Sequence, residues 1–469
     1  MRFSRLFLIS LAIILSLALY SPATAQGEGQ DEPYYIVQEG DSLWEIAARF
    51  GVSVEDLQQA NNISDPGQLV IGTRLIIPGL TGVSAQVDTV TVTYGETLRS
   101  LSRRYGLSES TFARLNRFVS PAELYAGVTL IVPVTENQSS SFSARANLAP
   151  GQSLLELAVL REKDPWSLAL ENNLPSTWAG LTTDVLRVAG DSQGDAPTGL
   201  PEAITKVEVD PLLMIQGGTT VIKVYAPPGI TMRGSLAERN LNFFPQEYGY
   251  VALQGIHAMT PPVLYPLTLE GELPSPGGER FAFSQDMLVQ DANFPYDPSL
   301  EVDPATLDPA VTEPESELWA SLGVPVTPEK MWDGLFASPV PADFKDCWTS
   351  LFGNRRSYNS GTYDSFHSGL DFCGRVGTEL YAVAPGKVIY TNMLIVRGGV
   401  VVIDHGWGVY TAYDHLSEIL VQPGNAVQPG QLIGLGGDTG RTTGPHLHWE
   451  VWVGGVQVNP VDWLARAFP

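Results

Sequence analysis

A strand-like segment carrying Tyr35 and Val37 opens the first patterned stretch of the chain and leads into a Gly-Asp-Ser turn. Leu43, Ile46 and Ala47 then recur at helical spacing. Asp41 or Ser42 is placed to cap a helix over Leu43 to Phe50, which Gly51 ends. Val54 to Ala60 reads as a second short helix, and Leu75 to Pro78 as a returning strand. The unit predicted over 34–79 is strand–helix–helix–strand.

The same pattern returns at an offset of 55 without a gap. Gly40 matches Gly95, Leu43 matches Leu98, Gly51 matches Gly106, Asn61 matches Asn116, and Pro78 matches Pro133. This is internal duplication, with the second copy over 88–134. Residues 144–190 read as a worn third copy: Gly151 and Asn172 fall in frame, but the closing strand Val185 to Val188 lacks the Gly-x-x-Leu-x-x-Pro ending. An unrelated helical hairpin fits that stretch nearly as well.

Residues 200–285 hold short β-rich runs between turns, such as Thr220 to Tyr225 before Pro-Pro-Gly, and read as a small sandwich. Residues 286–335 are expected to be an acidic, proline-rich linker. From Asp286 to Leu318 there are nine acidic residues and no Lys or Arg, a composition that repels itself. From 337 to 469 strand-like runs recur, including Gly386 to Asn392, Gly399 to Asp404, Val409 to His415 and Pro445 to Val453. The expected fold class is multidomain: small α/β (βααβ) repeats, a β-sandwich-like middle domain, and a mainly antiparallel all-β C-terminal domain.

The candidate chemistry lies in that last domain. The chain has six histidines, and two of them, His446 and His448, are one residue apart. On a strand they share a face, with Leu447, Trp449 and Val451 filling the core behind. His367 and Asp371, four apart, share a face on either a strand or a helix. Two imidazoles and one carboxylate suffice to hold zinc with a fourth position open to water. Neither HxxxD nor HxH is specific alone.

The surrounding residues carry resemblances. GDSLWEIAARFGVS, Asn61-Asn62 and GTRLIIPG resemble the LysM domain, a module that binds wall glycan. The resemblance implies recognition of N-acetylglucosamine-containing strands near Gly40, Asp41 and Ser42; the alternative is that Asp41 and Ser42 only cap a helix. GGTTVIKVYAPPG and YGYVALQGI resemble the immunoglobulin-like domain that precedes the catalytic domain of some wall metallopeptidases.

FHSGLDF, GTELYAVAPGKVI, GVVVIDHGWGVYTAYDHLS and GRTTGPHLHWEV resemble the lysostaphin-type (LytM-like) zinc endopeptidases of peptidoglycan. That resemblance implies Zn2+ on His367, Asp371 and His448, with His415 and His446 as the catalytic histidines. His405 and His257 read as structural. The implied function is a zinc endopeptidase cutting peptidoglycan stems or cross-links, brought to the wall by its repeats. The alternative is a non-catalytic activator of wall amidases, a role for which family members keep the fold and lose ligands.

Composition narrows the setting. The 469 residues carry a net charge of −24, which disfavours a nucleic-acid partner. Arg2, Arg5, the apolar run Leu6 to Tyr20 and Ala23-Thr24-Ala25 read as a signal peptide over 1–25. The expected location is therefore extracellular wall or periplasm, with membrane contact only during export. In that setting the only two cysteines, Cys347 and Cys373, are expected to pair.

Overall fold

The computed structural model describes residues 32–67, 69–134, 145–149, 151–172, 174–181, 185–188, 200–201, 203–274 and 280–469. The expected signal at 1–25 lies outside them. No described helix is long and apolar enough to cross a membrane. The described residues fall into two compact units: 32–90, 105–119 and 129–134 in one, and the remainder in the other.

In the first repeat, Ser42 caps the helix Leu43–Phe50 in a reciprocal box with Glu45, and Gly51 ends it in the left-handed conformation at φ 62°. Leu43, Ile46, Ala47 and Phe50 are buried. The strands Tyr34–Ile36 and Arg74–Ile76 pair antiparallel. Asn61 explains one of the repeat's fixed positions. Its amide donates to the Leu57 and Ile76 carbonyls and accepts from the Ile76 N–H, tying the second helix to the last strand. Asn116 makes the same three bonds, to Phe112 and Ile131. In the worn third copy, the strands Arg145–Asn147 and Val185–Arg187 pair around the helices Leu154–Leu160 and Pro165–Glu171. The element order there is strand–helix–helix–strand.

The middle region is two β-sheets sharing one core. Val207, Ile222 and Val224 of the four-stranded sheet pack with Leu267, Leu269 and Phe283 of the five-stranded one. The last long strand, Arg280–Gln290, runs past the expected boundary at 285.

The expected linker is instead an ordered strap. Residues 295–302 lie beside 355–359, with bridges from Tyr296 to Arg355 and Leu300 to Tyr358. Helix α1 (Pro309–Leu322) follows, capped by Asp308. The acidic composition misleads because the charges are spent on specific donors. Asp303 and Asp308 accept helix-start N–H groups, and Glu315 accepts those of Ile395, Val396 and Arg397. Trp319 supplies the apolar burial, edge-on to Trp452 at 5.2 Å.

The C-terminal domain is built on β1 (Leu370–Cys373), β2 (Gly386–Met393), β3 (Gly399–Asp404), β4 (Val409–Ile419) and β5 (His446–Val453). Their order in the sheet is β1-β5-β4-β3-β2, and all neighbours are antiparallel. Leu447, Trp449 and Val451 of β5 join the core. The register sets His448 opposite Asp371 on one side and Asp414 on the other. Cys347 and Cys373 form a disulfide, pinning the segment before the edge strand Trp348–Ser350 to the end of β1.

Candidate metal centre

His446 and His448 project from the face of β5 opposite the core. Asp371 comes from β1. His367 does not share a strand with it, because Ser365–Phe366 ends before a turn through Ser368 and Gly369. That turn presses against β5: a Cβ on Gly369 would lie 2.5 Å from the Trp449 carbonyl and 2.8 Å from the His448 ring. Only glycine lets His367 fold back over Asp371.

Three ligand-type atoms meet there. His367 Nε2 is 2.9 Å from Asp371 Oδ1 and 3.0 Å from His448 Nδ1, and His448 Nδ1 is 2.8 Å from Asp371 Oδ1. The rings' other nitrogens fix the tautomers. His367 Nδ1 lies 2.8 Å from the Leu351 carbonyl, and His448 Nε2 lies 3.1 Å from Glu450 Oε1. Each of those oxygens accepts, so each of those nitrogens carries the hydrogen. Two bare nitrogen lone pairs and a carboxylate oxygen therefore converge, and a positive charge must sit among them. In the chain alone it is a proton. Burial pushes His448 down, but its hydrogen bonds to Asp371 and Glu450 raise it to about 10. Two imidazoles with one carboxylate are also a donor set that suits Zn2+, so the residues present fit that ion.

Beside this trio stand His415 and His446, with ring centroids 4.8 Å apart. His415 Nδ1 donates to the Thr439 carbonyl and His446 Nδ1 to that of Gly444, both at 2.8 Å. Each Nε2 is left with its lone pair. Burial first, then His446 and His448, pushes His415 down to about 3, so it is neutral near pH 7. His415 sits at a bulge in β4 with φ 67°, a left-handed conformation that re-aims its side chain.

The sequence reading missed Glu450. It follows His448 by two residues on the same strand face, which was the available signal. It is buried and held ionised: burial would raise it, but the His448 hydrogen bond and charge hold it at about 2. Asp414, on the other side, is pushed well above the carboxylate range by burial and then by Glu450.

The centre opens into a groove of about 920 Å³, lined among others by Asp297, Arg356, Tyr358 and Arg441. His405 is elsewhere in the core, donating from Nδ1 to Pro385 and accepting at Nε2 from Thr411, both at 2.8 Å. His257 packs edge-on to Phe366 at 5.0 Å. Gly40, Asp41 and Ser42 belong to the other compact unit. There Ser42 is the helix cap, while Asp41 accepts from Tyr35 and Gln38 at 2.7 Å and pairs with Arg49.

The sequence pattern of Peptidase family M23 matches residues 365–460, and that of the LysM domain matches 35–78 and 90–133. The peptidoglycan DD-endopeptidase ShyA of Vibrio cholerae is 44% identical over 119 residues, which is 25% of this chain and 28% of ShyA. The DD-carboxypeptidase/endopeptidase Mpg of Neisseria meningitidis is 43% identical over 96 residues, 20% of this chain and 22% of Mpg. The chain thus spans about a quarter of the length of these curated relatives. A crystal structure from Pseudomonas aeruginosa described as peptidase M23 is 26% identical, covering 55% of this chain and 98% of that one at a TM-score of 0.41.

Proposed function

We propose that this chain, which carries a peptidase family M23 domain behind two LysM domains, is an exported zinc endopeptidase that hydrolyses peptide bonds in peptidoglycan. The observation that carries the reading is the convergence of His367 Nε2, Asp371 Oδ1 and His448 Nδ1 within hydrogen-bond range of one another, while each ring's other nitrogen is bonded to an oxygen outside the trio. Zinc held by these three atoms would polarise the scissile carbonyl and lower the pKa of a water.

The chain's own residues do the rest. His415 is neutral and its Nε2 lone pair is free, so it takes the proton of the attacking water. His415, once charged, returns that proton to the leaving amine, while the His446 Nε2 lone pair in the same groove orients the attacking water. The Thr439 and Gly444 carbonyls fix which nitrogen of each ring is available. The groove holds the peptide extended across both.

The LysM domains address the glycan of the same polymer. Binding would run along the loop at Gly40, Asp41 and Ser42, whose shape is held by the Asp41 bonds to Tyr35 and Gln38 and the Ser42–Glu45 box. Tandem weak sites raise the local concentration of substrate peptides. The names of ShyA and Mpg support a D,D-bond as the first to test.

Zinc-loaded chain incubated with intact peptidoglycan should release fragments whose masses identify cut peptide bonds. Release of glycan fragments only, or no release with a full complement of zinc, rejects the reading.

A further inference from the structure

We propose that the strap at 295–322 is a positioning element for the metal centre, acting through Trp319 on His448 and through Glu315 on His415. The proposal rests on the roles given above to those two histidines. Helix α1 buries only two side chains, Glu315 and Trp319. Each reaches the centre through a single intermediary.

Trp319 acts through Glu450. That carboxylate accepts from His448 Nε2 at 3.1 Å, Ser368 Oγ at 2.5 Å, Trp452 Nε1 at 2.6 Å and Trp319 Nε1 at 3.0 Å. Trp319 is the one donor of the four supplied by the strap. By accepting from His448 Nε2, Glu450 holds that ring's hydrogen there, which leaves Nδ1 as the metal-facing atom and makes it more basic. The position of the carboxylate therefore sets how well His448 binds a metal ion.

Glu315 acts through the loop before β3. Its two oxygens accept the N–H groups of Ile395, Val396 and Arg397 at 2.9–3.0 Å, and the Arg397 guanidinium at 3.0 Å. The Arg397 carbonyl in turn accepts the His415 N–H at 2.9 Å. His415 holds a left-handed backbone that persists only while its surroundings enforce it. Arg397 also lies over the Trp319 ring at 4.5 Å. The strap's Asp297 repeats the logic, pairing with Arg356 at 3.2 Å while that arginine stands 3.9 Å from Asp371.

The test uses the full chain. Trp319→Phe removes the indole N–H and keeps a ring; Glu315→Gln removes the charge and keeps the shape. Zinc affinity is measured by competition with a chromophoric chelator, and kcat and KM on peptidoglycan fragments. Trp319→Phe is expected to weaken zinc by up to roughly tenfold, the low end of the range for losing a metal ligand's own hydrogen-bond partner, because Glu450 stays but loses one of its four donors. Glu315→Gln is expected to keep zinc affinity and to lower kcat by about tenfold or more with KM little changed, because it disturbs only the proton-handling histidine.

A merely structural strap predicts a lower melting temperature with zinc affinity and kcat intact, and that outcome overturns the proposal. Wild-type zinc affinity in a folded Trp319→Phe chain overturns it too, as does wild-type kcat in Glu315→Gln. If Trp319→Phe does not fold, the Glu315→Gln arm decides. A chain that cuts no peptidoglycan fragment defeats the proposed function but leaves the zinc-affinity arm readable.

Discussion

His367 Nε2 and His448 Nδ1 lie 3.0 Å apart, and each ring spends its other nitrogen on an oxygen. Two lone pairs aimed at one point beside a carboxylate are stable only with a cation between them. His448→Ala removes one of the three, and zinc retained after dialysis is expected to fall to background together with peptidase activity. Binding to insoluble peptidoglycan is expected to persist, because the LysM repeats are untouched. Chelating the wild-type chain should also destabilise the C-terminal domain, by about 4 kcal/mol where free zinc stood at roughly a thousand times Kd. Calorimetry with and without chelator reads that loss.

His415→Ala and His446→Ala are expected to behave differently from His448→Ala. Neither ring supplies one of the three converging atoms, so zinc content stays at the wild-type level. Losing a positioned acid or base lowers kcat by about 10²–10⁴-fold. Metal analysis on the same samples used for kinetics separates the two classes.

His405 gives the domain a pH dependence of its own. Burial holds it down to about 4 from 6.5, against the Pro385 hydrogen bond and Asp404. Its folded pKa lies below its unfolded one, so between those values the unfolded chain binds the proton that the folded chain refuses. The stability associated with the neutral ring is complete above pH 6.5 and is lost as pH falls toward 4. The loss is on the order of 3 kcal/mol at 1.36 kcal/mol per pKa unit. Urea unfolding of the C-terminal transition at a series of pH values should show a shallower fall in His405→Gln than in wild type.

Asn61 should matter for stability out of proportion to its size. Asn61→Ala leaves the Ile76 N–H and carbonyl without their side-chain partner at the junction of helix and strand. A cost of about 1–3 kcal/mol is expected for the first repeat, read as a lower unfolding midpoint. Asn116→Ala should do the same to the second copy through Ile131.

Much of this architecture was readable from local pattern. The helix expected over Leu43 to Phe50 and the strand over Gly399 to Asp404 have those bounds in the structure, because a cap, a terminal glycine and an unbroken apolar run are local signals. The pairing of His446 with His448 on one face followed from strand alternation. The strap was not readable. Its acidic composition says nothing of partners at Ile395, Val396 and Arg397, eighty or more positions away, and those partners are what order Glu315. The bulge that turns His415 into the site was equally hidden, since it arises from how β3 and β4 fall out of register. His367 reached Asp371 by a glycine turn rather than by sharing a strand, a contact that depends on β5 packing beneath Gly369.

The most direct test of the central claim is X-ray absorption at the zinc edge on the full chain loaded with one equivalent of zinc. The account predicts a nitrogen- and oxygen-only shell with two imidazoles, no sulfur, and loss of one imidazole in any zinc that His448→Ala retains. A folded wild-type chain that binds no zinc, or a spectrum unchanged by His448→Ala, would contradict it.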